Sequence, residues 1–118
     1  MSIYFIAGDT DLWNPASFTG RLYCEQANAV ARLLNVDSGV GPVLKDEVVV
    51  DAERFKAFAA AYAREVLACG PREHLSSVRV LLDGCFAFTA AMAHKLGAEF
   101  PSNRTLTELL GLGSQLIG

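Results

Sequence analysis

The chain of 118 residues is long enough for one continuous hydrophobic core and too short for two, so a single domain spanning 1–118 is predicted. Hydrophobic residues make up 52% of the chain and charged residues 19%, which is more apolar than an average globular protein and leaves apolar surface for a partner. The net charge of −3 comes without any cluster of Lys or Arg, which argues against binding to nucleic acid or to an anionic membrane.

Targeting and metal-binding patterns are missing from the sequence. Residues 1–8 hold no basic region followed by the apolar run of a signal peptide, and the uncharged stretch 84–93 is far shorter than the ~20 residues that cross a bilayer. Cys24, Cys69 and Cys85 are odd in number and lack the spacing of metal ligands, so three reduced thiols are predicted. We therefore expect a cytoplasmic protein that needs no metal and no cofactor.

Two short strands are predicted in the first half of the chain. The run 3–7 is β-branched and aromatic and stops at Gly8-Asp9, and the run 47–50 has a similar character. Between them, the segment 36–45 has the glycines and the proline of a loop, and its spacing does not match a phosphate-binding motif. We expect the two strands to pair antiparallel.

A first helix is predicted over 15–35. Asn14 suits an N-cap, because its side chain can accept a free amide proton at the helix start, and Pro15 suits the first helical position because it has no amide proton to lose. Trp13 and Phe18 have the spacing of a hydrophobic staple around that cap.

Three more helices are predicted in the second half. Asp51 suits an N-cap, and apolar residues recur at helical spacing from there to Gly70. A third helix over 71–96 follows at once, and so short a turn predicts an antiparallel hairpin of the second and third helices. The run 105–108 has a capping-box pattern, so a short fourth helix begins near Leu106. The predicted fold is α+β and mostly helical, with a short two-stranded β element packed on three to four helices.

Asp83 is the first of three candidate acid/base groups. It lies in the most apolar helical stretch, where an unpaired carboxylate is costly if buried, and Arg79 one turn earlier is its predicted partner. Ser76 and His94 fall in the same narrow sector of the helix as this pair. The simpler interpretation is therefore a solvent-facing stripe, and a catalytic Asp83 is the alternative.

His74 and Asp46 are the other two candidates. An imidazole titrates near neutral pH, but His74 would lie roughly 30 Å along one helix from His94, so the two do not share a metal. A surface histidine is the simpler interpretation. Asp46 and Glu47 are adjacent carboxylates, and neighbours on a strand point to opposite faces, so solvated charges beside a strand are the simpler interpretation there.

Several motifs point to a family. The chain contains Tyr4-Phe5, Gly8-Asp9, Leu12-Trp13-Asn14-Pro15 and Gly20-Arg21-Leu22, followed by Ser38-Gly39, Gly41-Pro42 and Asp46-Glu47. In these motifs it resembles an uncharacterised family of short actinobacterial proteins of unknown function. That family has no established activity, so the resemblance implies no catalytic residue. Among the polar and aromatic positions of its motifs, it implies four binding candidates, namely Asp9, Trp13, Arg21 and Glu47.

Two functional hypotheses follow. The first is a small acidic protein-binding or accessory domain, such as an immunity factor encoded beside its target, because catalytic motifs are missing and the apolar residues exceed the needs of one small core. The alternative is a small cofactor-free acid/base enzyme, for example an isomerase, cyclase or dehydratase. Its pocket would lie between the β element and the helices, with Asp83, His74 or Asp46 as its acid/base group.

A homodimer is also predicted, through the third helix. One face of this helix is wide enough to pack against the rest of the chain, and Leu81 and Phe88 fall outside that face, seven residues apart as in a coiled-coil seam. The stretch 84–93 carries no charge on any side. We therefore expect a second copy of the chain to cover Leu81 and Phe88.

Overall fold

Two β-hairpins and four α-helices make up the computed structural model of the chain, which describes residues 1–118. Strands β1 (Tyr4–Ala7) and β2 (Thr10–Trp13) form the first hairpin, and β3 (Val40–Leu44) and β4 (Glu47–Val50) form the second. The helices are α1 (Ser17–Leu34), α2 (Ala52–Ala68), α3 (Ser77–Lys95) and α4 (Arg104–Ile117). The α+β, mostly helical class predicted from the sequence is confirmed.

The strands form one sheet in the order β2-β1-β4-β3. Its two central strands, β1 and β4, are parallel, while each hairpin is antiparallel. The expected antiparallel pairing of the first and last strands is therefore wrong, because β2, α1 and β3 together form a crossover that brings the chain back in its original direction. The predicted β element also has too few strands, because β2 and β3 were not predicted.

The second hairpin turns tightly at residues that were assigned to a loop. Lys45 and Asp46 both have positive φ values, 51° and 62°, which is the geometry of a two-residue turn matched to the twist of a hairpin. Val40 pairs with Val50, and Val43 pairs with Val48 after an irregularity in the register. The predicted loop over 36–45 is therefore a strand for half of its length.

The start of α1 differs from the prediction. The helix begins at Ser17, Ala16 is its N-cap residue, and no side chain caps it. The chain stays extended through Pro15 because residues 1–3 pair with it: Ile3 N donates to Pro15 O at 2.9 Å and Ser17 N donates to Met1 O at 3.0 Å. A backbone carbonyl thus satisfies the amide group that Asn14 was expected to cap.

The remaining helix ends follow local chemistry more closely. Asp51 caps α2 by accepting from Arg54 N at 3.0 Å, as predicted, and Gly70 adopts a φ of +80° just beyond that helix. Helix α3 begins at Ser77 instead of residue 71, with Ser76 as its cap. Helix α4 is capped by Asn103, whose Oδ1 accepts from Leu106 N at 3.2 Å, so the capping-box assignment at 105–108 is wrong.

Helices α2 and α3 form the predicted antiparallel hairpin. The rings of Tyr62 and Phe86 lie 5.1 Å apart, and Val66, one turn later on α2, contacts Arg79, two turns earlier on α3. Buried side chains from all four helices and from one face of the sheet form a single core. None of the four helices is long and apolar enough to span a membrane.

Candidate functional site

A cluster of aromatic rings lies where β2, α1 and α3 meet. The Trp13 ring stacks on Phe88 with centroids 4.8 Å apart and an interplanar angle of 18°, and Tyr23 meets Trp13 edge-on at 5.7 Å. Phe5 from β1 completes the cluster at 5.3 Å from Trp13. Trp13 is therefore a core residue of this junction, and the predicted staple with Phe18 is wrong because Phe18 is largely exposed.

Trp13, Tyr23 and Phe88 of this aromatic cluster form the floor of a groove between α1 and α3. The cavity holds about 330 Å³, which lies at the lower end of the range for small-molecule pockets. Leu22 and Leu81 form its opposite walls, one on each helix. No charged side chain lines it; the ten lining residues are Trp13, Thr19, Leu22, Tyr23, Gln26, Val80, Leu81, Gly84, Cys85 and Phe88.

A buried polar layer lies beside the groove floor. Tyr23 Oη and Thr89 Oγ1 are 2.7 Å apart, Thr89 Oγ1 donates to the Cys85 carbonyl at 3.0 Å, and Tyr62 Oη donates to the Leu82 carbonyl at 2.7 Å. Burial raises the pKa of Tyr23 and of Tyr62, and it raises the pKa of the Cys85 thiol to about 11. The tyrosines and the thiol are therefore uncharged at neutral pH, and the hydrogen bonds of this layer are made within the chain.

The two residues predicted at a dimer interface differ in their surroundings. Leu81 is 78% exposed on the groove wall. Phe88 is only partly exposed, because the Trp13 ring covers one of its faces. Leu81 is therefore available to a partner, whereas Phe88 contributes to the chain's own core.

Asp83 and Arg79 form the predicted pair, with Arg79 Nε and Asp83 Oδ2 3.3 Å apart. The pair does not face solvent: the two side chains are only 2% and 16% exposed. The predicted solvent-facing stripe is therefore wrong at Arg79, which lies under the end of α2, although His94 is exposed as expected. Removing either partner of such a pair leaves the other charge buried without compensation, which is strongly destabilising.

The three candidate acid/base groups lie in different parts of the fold. Asp83 is on α3, His74 is exposed in the loop between α2 and α3, and Asp46 is in the turn between β3 and β4. None of the three lines any of the five main cavities. The structure therefore does not bring them together into one site.

The outer face of the sheet is a second candidate surface. The helices cover only the face that carries Phe5 and Val48, and the opposite face is open to solvent. That open face carries four apolar side chains at least partly exposed, namely Tyr4, Ile6, Leu44 and Val49. Because an uncovered sheet face is ordinarily polar, this composition is unusual.

Carboxylates surround those apolar side chains. Asp11 pairs with Ile6 on the open face, Glu47 pairs with Tyr4, and Asp9 and Asp46 lie in the two hairpin turns. The hairpins hold four carboxylates and one lysine, a net charge of −3, while the other nine acidic and nine basic residues of the chain cancel. The sheet thus carries the whole net charge. We call this open face and its two turns the acidic sheet face.

Three of the four binding candidates lie on one of the two surfaces, and the fourth, Arg21, lies on neither. Asp9 and Glu47 belong to the acidic sheet face, and both are exposed. Trp13 lies in the groove floor. Arg21 is exposed on α1, where its Nε atom donates to Ser17 Oγ at 3.4 Å. The apolar side chains of the open face were not predicted. The run 3–7 gave a signal for them, because it is apolar at every position and lacks the alternation of a strand with one buried face.

The fold and these surfaces define a small α+β domain with an open mixed sheet. Comparison of its sequence with protein families assigns it more narrowly: the Family of unknown function (DUF6086) matches residues 1–115, and the chain belongs to that family. No curated protein matches the chain, and no solved structure matches it either.

Proposed function

We propose that this chain is a protein-binding accessory domain whose acidic sheet face takes a partner protein with a basic, partly apolar surface. An immunity protein encoded beside its target is one example of such a domain. The observation that carries the proposal is an open sheet face with four apolar side chains, surrounded by carboxylates that hold the entire net charge of the chain.

The apolar centre supports a protein partner in preference to a small ion. Leu44 and Val49 are more than half exposed on the open sheet face, and removing such side chains from water stabilises a complex by roughly 25 cal/mol for each Å² buried. An apolar patch inside a polar margin is the usual anatomy of a protein interface. The depression beside Leu44, with Glu47 at its margin, is wide enough to receive a side chain of the partner.

The carboxylates support a basic partner. Asp9, Asp11, Asp46 and Glu47 lie on or beside one face, with Lys45 as the single cation of the two hairpins. A surface field of one sign speeds the approach of an oppositely charged protein and disfavours partners of the same charge. Binding through this face should therefore weaken as salt is added.

A capture experiment followed by purified binding tests the proposal. The tagged chain is used as bait in a lysate of the source organism at low salt, and each retained protein is identified, purified and titrated against the chain by calorimetry. We expect a basic protein that binds in a one-to-one ratio, with an affinity that falls about tenfold, or about 1.4 kcal/mol, in Glu47→Lys. Val49→Asp should weaken binding at least as much, because it places a charge in the apolar centre.

Glu99→Lys is the matched control. It makes the same change of charge at an exposed residue away from the sheet, so it should leave the affinity close to that of the wild type. A purified partner whose affinity responds equally to Glu47→Lys and Glu99→Lys would contradict a specific role of the acidic sheet face. So would a partner that is itself acidic, or the absence of any basic partner at low salt.

The alternative, a small cofactor-free acid/base enzyme, stays a prediction without an observation that favours it. Its three proposed groups lie on α3, in the α2–α3 loop and in the β3–β4 turn. The groove that has the volume of a ligand site is lined by none of them.

A further inference from the structure

The groove between α1 and α3 continues into exposed apolar side chains on both helices. Val78 and Leu81, three residues apart, project on one side of the start of α3, and the exposed Leu75 lies in the loop just before that helix. Phe18 and Leu22, four residues apart on α1, project on one side of that helix. We call these five residues, together with Val80, the α1–α3 surface.

The exposed area of the α1–α3 surface matches what one partner contributes to a stable dimer. Its six side chains are exposed by 44% to 81%. At roughly 150–200 Å² for a fully exposed large side chain, these fractions amount to on the order of 700 Å². A standard interface takes about 800 Å² from each partner, whereas the largest apolar patch of a typical monomer covers about 300–600 Å².

The shape of this surface is complementary to itself. Val78 and Leu81 stand out from the body of the protein, because Arg79 is the one fully buried residue in the first two turns of α3. We call this exposed apolar row the ridge. Beside this ridge lies the groove. At Gly84, in the groove, an added methyl group would meet no atom within 4 Å, so a second backbone has room to approach closely.

The charge pattern favours a second copy over a different protein. None of the residues that line the groove or form the α1–α3 surface is charged. In a two-fold dimer each residue near the axis faces its own copy, so a charge there would meet a like charge and oppose association. The chain's excess of carboxylates lies on the two hairpins, and none of those four carboxylates lines the groove.

We propose that a second copy of this chain binds at the α1–α3 surface, in a two-fold arrangement in which the ridge of each copy enters the groove of the other. The dimer forms through residues different from those of the acidic sheet face. Each copy therefore presents its own sheet face to a partner, and the dimer offers two such faces.

Light scattering on a sizing column tests this proposal. The wild type at micromolar concentration should have twice the 12.7 kDa mass of one chain. Leu81→Glu should elute as a single folded chain, with at least a tenfold rise in the dissociation constant, because it places two like charges in the interface. Leu81 is mostly exposed, so the variant should keep the helical circular dichroism of the wild type. Leu22→Glu, on the opposite wall, is a second variant with the same expected outcome.

Leu44→Glu is the matched control, since it places the same charge at an exposed leucine of the sheet and should leave the dimer intact. A wild-type mass of one chain would overturn the proposal. A dimer that survives both groove substitutions, or one that Leu44→Glu dissociates, would overturn it as well, because either result places the contact elsewhere. These outcomes are independent of partner binding, which is measured with Glu47→Lys and Val49→Asp.

Discussion

The guanidinium group of Arg79, on α3, lies against the end of α2, where its Nη2 atom donates to the Val66 carbonyl at 3.4 Å and its Nη1 atom donates to the Pro71 carbonyl. The last carbonyls of a helix have no partner within the helix and form the negative end of its dipole, so a cation there is stabilising. Asp83 holds the same guanidinium from one turn further along α3. Arg79 therefore fastens the start of α3 to the end of α2.

Replacing Arg79 alone should be strongly destabilising. Arg79→Met removes one of the donors to each of the Val66 and Pro71 carbonyls, and it leaves the Asp83 carboxylate, whose Oδ1 atom is already buried without a hydrogen bond, lacking its counter-ion. We expect the free energy of unfolding in urea to fall by about 3 kcal/mol. The double variant Arg79→Met with Asp83→Leu should recover part of this loss, because it removes both charges together. Equal stabilities for wild type and Arg79→Met would show that the pair is not a structural fastening.

The Arg79–Asp83 pair also shows which contacts can be predicted from the sequence. The four-residue spacing predicts the partner of Asp83 correctly, because that contact is within one helix. It does not predict the burial of Arg79, because the burial depends on α2 ending where α3 begins. The cap at Asp51 is also predicted correctly, because it depends only on residues close to it in the sequence.

Elements that depend on pairing or packing with another segment of the chain were missed. Strand β3 owes its conformation to its partner β4, and its glycines and proline alone resemble a loop. The start of α1 was misplaced because Met1 and Ile3 pair with the residues around Pro15. Of the two residues predicted at a dimer interface, the helical pattern places Leu81 outside the packed face, but nothing local to Phe88 indicates that Trp13, 75 positions earlier, covers it.

A glycine of α4 determines how closely that helix packs on α3. A methyl group added at Gly113 would overlap the carbonyl oxygen of Ala87 and lie 3.0 Å from Ala91 Cβ. Gly113→Ala should therefore lower the free energy of unfolding by about 1–3 kcal/mol, the usual cost of overpacking. Gly111→Ala, two residues away with no atom within 4 Å, should instead stabilise the helix by about 0.5–1 kcal/mol. Thermal melts that move in the same direction for both variants would contradict this packing.

Substitutions at two asparagines test the helix caps of the structure against those expected from the sequence. Asn103 accepts from Leu106 N at the start of α4, so Asn103→Ala should lower the free energy of unfolding by about 1 kcal/mol. Asn14 is exposed and does not cap α1, so Asn14→Ala should change stability by less than about 0.5 kcal/mol. Chemical denaturation of the two variants in parallel measures both effects. A larger loss in Asn14→Ala than in Asn103→Ala would mean that α1 begins at the cap expected from the sequence.

The Cys85 thiol should make the protein less stable in alkali. Burial raises its pKa from 9.0 to about 11, so as the pH rises above 9 the unfolded chain loses this proton before the folded chain does. The unfolded state then binds fewer protons than the folded state, and the free energy of unfolding falls between pH 9 and 11, by at most about 1.4 kcal/mol per pH unit for one such thiol. Below pH 9 both states keep the proton and this contribution does not vary.

Urea denaturation of wild type and Cys85→Ala at each half unit from pH 7 to 10.5 measures the effect. Alanine does not ionise, so the fall in stability above pH 9 should be shallower in Cys85→Ala, whatever constant offset the substitution itself introduces. Cys69→Ala is the control, because it makes the same substitution at a partly exposed cysteine at the end of α2. If Cys85→Ala and the wild type lose stability in parallel above pH 9, the thiol beside the groove floor is solvated in the folded protein. Water would then reach the polar layer of Tyr23, Tyr62 and Thr89, which is buried in the structure.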